Sequence, residues 1–192
     1  MTTYEAMKMR RSIRKFDGAR PVPTEVLTKA VDVARLAPCG TNAQTLKFCA
    51  VTDPALTARI FALSAWGAHL KDGSGRPGPG QEPPVWMLIL HDASLRPQPF
   101  ALDIGAACEN IIIYCQSEGV ASCWLENIRK KEIAELLGLP ENLSVVSSVA
   151  LGYPAMESVE VPAGEDGTGY YWGEGGKMNV PKRSLEEVMI LK

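Results

Sequence analysis

The chain has 192 residues, 46% of them hydrophobic, with 20 Lys and Arg against 22 Asp and Glu and a formal net charge of -2. That length is enough to close one substantial core and favours a single domain. The near-neutral balance excludes a global field for attracting nucleic acid or an anionic membrane surface.

The opening residues MTTYEAMKMRR have no apolar signal core, and the longest apolar stretch, around Ile111 to Cys115, falls far short of the roughly 20 residues a bilayer span needs. A cytoplasmic protein with no membrane or nucleic-acid partner is the expectation. Its five cysteines (Cys39, Cys49, Cys108, Cys115 and Cys123) form no CxxC pair and read as reduced thiols, mostly small buried apolar residues. His69 and His91 lie far from any close cysteine pair, so no metal site is expected.

In chain order, Thr2 with Glu5 has the form of a capping box and opens a short helix that runs into four cations within MRRSIRKF, Met9 to Phe16. From Thr24 a second helix places Leu27, Ala30, Val31 and Ala34 on one face, and Pro38 stops it. KFCAV, Lys47 to Val51, reads as a strand. Asp53-Pro54 reads as a cap followed by proline at the first helical position, with the helix running to about Ala65. The Gly- and Pro-dense segment from Gly67 to Pro84 predicts a mobile loop.

Beyond it, VWMLILH at Val85 to His91 is a buried strand. Phe100 to Glu118 is a helix apolar nearly all round, which puts it at the centre of the core, and Gly119 ends it. A strand at Ala121 to Leu125, a helix at Arg129 to Leu137 and a strand at Ser144 to Leu151 follow. This alternation implies a layered α+β domain. After Ala155 the pattern fades into a polar, Gly-rich tail too poor in apolar residues for its own core. Its clustered Tyr170, Tyr171 and Trp172 favour docking on another surface, a second subunit among the options.

Few motifs carry chemistry by themselves. Gly73 to Gly78 matches GxGxxG formally, but no strand precedes it and prolines prevent the helix that would hold a pyrophosphate. There is no Walker A sequence and no GxSxG elbow. Along an extended segment Ser12 and Arg14 share a face, and with Arg10 they offer fork donors and a hydroxyl suited to a phosphate monoester. A solvated basic surface is the plainer alternative for the same residues.

Four segments together resemble the FMN-dependent nitroreductase family. They are RRSIRKF; APCGTNAQTLKF at Ala37 to Phe48, similar to the family's AP-S-x-x-N-x-Q-P-W-x-F; the central apolar helix followed by GVASCWL; and PKRSLEEV at Pro181 to Val188. They occur in the family's order and cover nearly the whole chain.

The resemblance implies one nitroreductase-like domain over residues 1–192, with a core to about 155 and a tail that embraces a partner. The implied fold is a three-layer αβα sandwich on a mixed, mainly antiparallel sheet, homodimeric, with FMN at the subunit interface. It implies that Arg10 and Ser12, with one or both of Lys182 and Arg183, close around the FMN phosphate, that Arg11 belongs to the same cofactor-binding set, and that Arg14 faces the pyrimidine edge of the flavin. Asn42 matches the amide that bonds the ring, within a segment that also brings Cys39 and Gln44. Taken alone, Asn42 reads as a turn residue after Gly40. Leu125, Glu126 and Asn127 match the place where backbone donors approach the flavin.

The implied activity is ping-pong transfer of two electrons from NADH or NADPH to a nitroaromatic, quinone or enone acceptor, with no side chain required as acid or base. Alternatives are a specialised enzyme of the same fold, such as a dehalogenase or a flavin-fragmenting oxygenase, and a flavin store without turnover. Two departures stand out. Thr45-Leu46 replaces the family's Pro-Trp, and the Gly67 to Pro84 segment does not resemble the helical lid of the dehalogenating members.

Overall fold

The computed structural model describes residues 1–165 and 167–192. One strand organises the molecule. All eight residues of β2, Val85–Asp92, are buried, as an apolar run placed between two strands and covered on both faces must be. On one side β2 pairs with β1, Leu46–Val51, and on the other with β4, Leu143–Gly152, which pairs in turn with β3, Ala121–Leu125. The order is β1-β2-β4-β3.

Every strand pair in this sheet is antiparallel, where a mixed, mainly antiparallel sheet was expected; the one parallel contact at its edge is the isolated Ser12–Ser122 bridge. The connections explain the difference. After β1 the chain leaves along α3, Pro54–Ala62, and the Gly- and Pro-rich segment brings it back to enter β2 beside the end of β1. A connection that returns to the end it left from joins antiparallel neighbours.

Alternate residues of β2 enter two separate cores, as a period of two requires. Val85, Met87 and Ile89 pack with Leu27 and Ala30 of α2, Thr24–Arg35, and with Ala107 and Ile111 of α4, Ala101–Ser117. Trp86, Leu88 and Leu90 pack with Ile60 of α3 and Ile133 of α5, Lys130–Leu136. The register shifts between Ile89 and Leu90, leaving Val146 of β4 as the extra residue of a bulge.

Caps act where the sequence places them. Thr2 and Glu5 complete the capping box of α1, Thr3–Met9, with bonds of 2.7 and 3.2 Å. Asp53 accepts the Leu56 amide at the start of α3, and Gly119 takes φ 74° after α4. Helix α3 stops at Ala62 rather than Ala65, because Ser64 forms an isolated bridge with Ile128. Residues 73–78 lie in turns with no helix before β2, so the formal GxGxxG has no phosphate-binding geometry. No helix among the described residues is long and apolar enough to cross a membrane, and they contain no metal-ligating cluster.

The tail is more ordered than its sequence pattern suggests. β5, Ser158–Pro162, pairs parallel with β7, Met178–Lys182, and the two-residue β6, Tyr171–Trp172, pairs antiparallel with β7. The short helix α6, Leu185–Val188, follows. Met178 is fully buried and anchors this small sheet.

Candidate functional site

The basic segment is extended, and its exposure alternates. Arg11 and Ile13 are buried, while Arg10, Ser12 and Arg14 are half-buried. Ser12 forms a parallel bridge with Ser122 of β3, and Ser122 O accepts the Ile13 amide at 2.9 Å. The segment therefore runs along the edge of β3 and turns Arg10, Ser12 and Arg14 to the same side. Both Arg10 and Arg14 come close to Cys123: burial pushes that thiol up to about 11, and the two guanidinium charges act against the rise.

Arg11 departs from its expected role. Its guanidinium donates to the carbonyls of Lys8, at 3.0 Å, and Arg10, and pairs with Glu160 of β5. With both terminal nitrogens engaged inside the fold, and Nε buried without a partner, Arg11 ties α1 to the tail. Lys182 and Arg183 are exposed and line a groove of about 670 Å³ together with Lys8, Met9, Arg11 and Ser158. The structure thus brings the C-terminal cations to the buried side of the basic segment, at Arg11. Arg10, Ser12 and Arg14 do not line this groove.

At the end of β3, Leu125 is buried in the core and offers only backbone. Glu126 is bound into a network: Oε1 accepts from the Trp124 indole at 2.8 Å and from the Ser147 hydroxyl, and Oε2 pairs with Lys130 at 2.8 Å. Burial raises this carboxyl, but Lys130, Ser147 and Trp124 together outweigh burial and hold it below the usual carboxylate range. Lys130 also donates to Val146 O, a carbonyl that the bulge leaves outside the ladder. The amides of Glu126 and Asn127 donate to no acceptor among the described residues, so this turn presents two free N–H groups.

The Cys39–Gln44 segment is a strained loop. Thr41, Asn42 and Gln44 take φ of 56°, 54° and 49°, a left-handed conformation that costs non-glycine residues free energy. Asp103, in the first turn of α4, fastens the loop by accepting the Gly40 amide at 2.8 Å. Its other carboxylate oxygen, Oδ2, is buried without a partner. Asp103, Cys39 and Gln44 line a small cavity of about 120 Å³ behind the loop. Sequence reasoning passed over Asp103, although it is the only carboxylate in the first turn of a largely apolar helix.

The two halves of the expected site do not meet within one chain. Ser12 joins β3 at Ser122, which faces Leu151 and through it Val85, whereas the loop leads into β1 at Leu46, opposite His91. Four inter-strand spacings separate them across the sheet, roughly 20 Å, and the six-residue offset along β2 adds roughly 20 Å lengthwise. These are diagonal corners of the sheet.

The nitroreductase family model matches residues 7–77 and 78–153. The chain belongs to this family. A relative from Methanothermobacter thermautotrophicus, provisionally named NADH dehydrogenase/NAD(P)H nitroreductase, is 32% identical over 162 residues, covering 81% of this chain and 78% of its own. An iodotyrosine deiodinase from Haliscomenobacter hydrossis is 25% identical over 183 residues, covering 83% and 82%. Among solved structures, a nitroreductase family protein from Clostridium novyi NT superposes with a TM-score of 0.67 at 26% identity, covering 80% of this chain and 86% of that one.

Proposed function

We propose that this nitroreductase-family protein is an FMN-dependent NAD(P)H oxidoreductase acting as a homodimer. Its acceptor would be a small nitroaromatic, quinone or enone, with donor and acceptor using one site in turn. The observation that carries the reading is the β3 edge, where Arg10, Ser12 and Arg14 share one face of an extended segment and two free amides lie in the turn that follows the strand. This donor set fits a flavin monophosphate: cations and a hydroxyl for the phosphate, a further cation for the electron-rich pyrimidine edge, and backbone N–H groups for the ring.

Arg10 and Ser12 would hold the phosphate and Arg14 would lie at the ring edge, while Lys182 and Arg183, on the Arg11 side of the segment, would not join them within one chain. Because the Cys39–Gln44 loop lies at the opposite corner of the sheet, Asn42, Gln44 and Cys39 would reach the same ring from a second copy. In this reading a dimer holds two such sites, and each sheet with its flanking helices forms a sandwich against the partner. Bound FMN supplies two-electron redox chemistry. The chain's own contribution is to orient the ring and its two successive partners and to place positive charge at its edge. Five unpaired thiols suit a reducing, cytoplasmic setting.

The purified protein should be yellow, release FMN on denaturation, and be bleached anaerobically by NADH or NADPH and recoloured by menadione. Release of FAD, or failure to bind FMN on reconstitution, would reject the reading; flavin that no nicotinamide reduces would mark a storage protein. The deiodinase-named relative gives a second reading, reductive dehalogenation, for which iodide release from iodotyrosine is the assay.

A further inference from the structure

This inference rests on the reading of Arg14 as the cation at the flavin edge. The Arg14 guanidinium makes no ion pair or side-chain hydrogen bond among the described residues. What it does touch is an aromatic ring: it lies 4.3 Å from the centroid of Tyr170. That ring is held in turn. His69 tilts against it with centroids 5.4 Å apart, and the Tyr170 hydroxyl accepts the His69 amide at 3.3 Å. Gly169 permits the approach, since a Cβ there would fall 2.0 Å from His69 Nε2.

The neighbouring residues repeat the arrangement. Lys15 Nζ lies 4.7 Å from the Trp172 centroid, and the Trp172 indole donates to Ser74 at 2.8 Å. Three segments distant in sequence are thereby fastened together: the basic segment, the Gly- and Pro-rich segment that supplies His69 and Ser74, and the tail. Arg76 secures the middle one by donating to Ser64 O at 2.8 Å. An arginine left free explores many rotamers, and stacking on a fixed ring selects a few of them.

We infer that Tyr170 is a positioning residue for Arg14: its ring, braced by His69, fixes the guanidinium at the edge of the flavin site and so sets how strongly the protein favours reduced over oxidised flavin. The Gly- and Pro-rich segment is then a buttress for that charge, in place of the helical lid that it does not form.

The test is the midpoint potential of FMN-loaded protein. In Tyr170→Leu, which keeps apolar bulk but has no π face, the preference for reduced flavin should fall by up to about tenfold, about 30 mV for a two-electron couple. Tyr170→Phe keeps the face and should retain the wild-type potential. Gly169→Ala displaces the contact from the His69 side with the ring intact, and should shift the potential in the same direction even if Tyr170→Leu does not fold. In an Arg14→Ala background neither change should add a further shift, because residues acting through one contact are not additive.

A wild-type potential in both Tyr170→Leu and Gly169→Ala, alongside a lowered one in Arg14→Ala, would overturn the inference and leave the flavin-edge reading standing. So would a shift that persists without Arg14, or one that Tyr170→Phe also shows. A wild-type potential in Arg14→Ala would overturn the reading of Arg14 itself, and the inference with it.

Discussion

Arg10 and Arg11 are neighbours of identical chemistry whose surroundings give them opposite roles, and substitution should separate them. If Arg10 holds the phosphate as proposed, Arg10→Ala removes a charge-assisted contact of about 1.5 to 3 kcal/mol, so FMN affinity should fall roughly tenfold or more. Riboflavin, which has no phosphate, should bind nearly as before. Arg11→Met instead removes the bonds to Lys8 O, Arg10 O and Glu160. It should lower stability by about 1 to 3 kcal/mol in denaturant unfolding and leave the ratio of FMN to riboflavin affinity unchanged. The alternation that separates the two was legible in sequence, since an extended segment turns residues 10, 12 and 14 to one side. The partner that claims Arg11 was not, because Glu160 lies far along the chain in a strand with no clear signal of its own. The thiols divide in a similar way. Burial pushes Cys108 and Cys115 up to about 12 and Cys123 up to about 11, so little reactive thiolate exists at neutral pH. Iodoacetamide at pH 8 should leave these three unmodified in the folded protein and react with them only after unfolding; peptide mass spectrometry reads the difference.

Individual elements were legible in proportion to how much of their stability is local. α1 and α3 declare themselves through caps, β2 through an apolar run that only a buried position can accommodate, and α4 through a long, largely apolar helical stretch ended by Gly119. β5, β6 and β7 were missed because they depend on partners. β6 has two residues and β7 contains Pro181, and their register follows from burying Met178 rather than from any periodicity. The strand order of the main sheet was hidden for a related reason, since it depends on where the Gly- and Pro-rich segment returns the chain. At the far end of β2, Asp92 joins two elements through side chains: it pairs with Lys47 at 2.8 Å and accepts from Ser94 and Asn142. Lys47 first, then Ser94 and Asn142, hold this carboxyl well below the usual carboxylate range. A folded-state value below the unfolded one of about 3.9 adds stability that is complete above that pH and lost as pH falls toward the folded value. Acid titration of the wild type should therefore show stability declining below about pH 4. Asp92→Asn should be less stable at pH 7 and lose less between pH 5 and pH 2, as followed by urea unfolding at each pH.

At the scale of the whole molecule, the separation of the two half-sites makes the strongest demand. If one flavin needs Arg10 and Ser12 from the β3 edge and Asn42 and Gln44 from the loop before β1, each site draws on two copies, and two-fold symmetry produces two such sites per dimer. Complementation follows. A chain carrying Arg10→Ala with Ser12→Ala should bind FMN poorly by itself, and so should a chain carrying Asn42→Ala with Gln44→Ala. In a hybrid of the two, one site receives both sets of substitutions and the other receives neither. Random association of equal amounts makes about half of the dimers hybrid, so about a quarter of all sites should be intact and bind FMN with wild-type affinity. Two differently tagged chains, co-expressed and purified through both tags, isolate the hybrid, which should hold about one tightly bound FMN per dimer. If both half-sites belonged to one chain, every chain in the hybrid would still carry a damaged site and no tight binding would return. A doubly tagged dimer with no tightly bound FMN would therefore reject the shared site while leaving dimerisation itself intact.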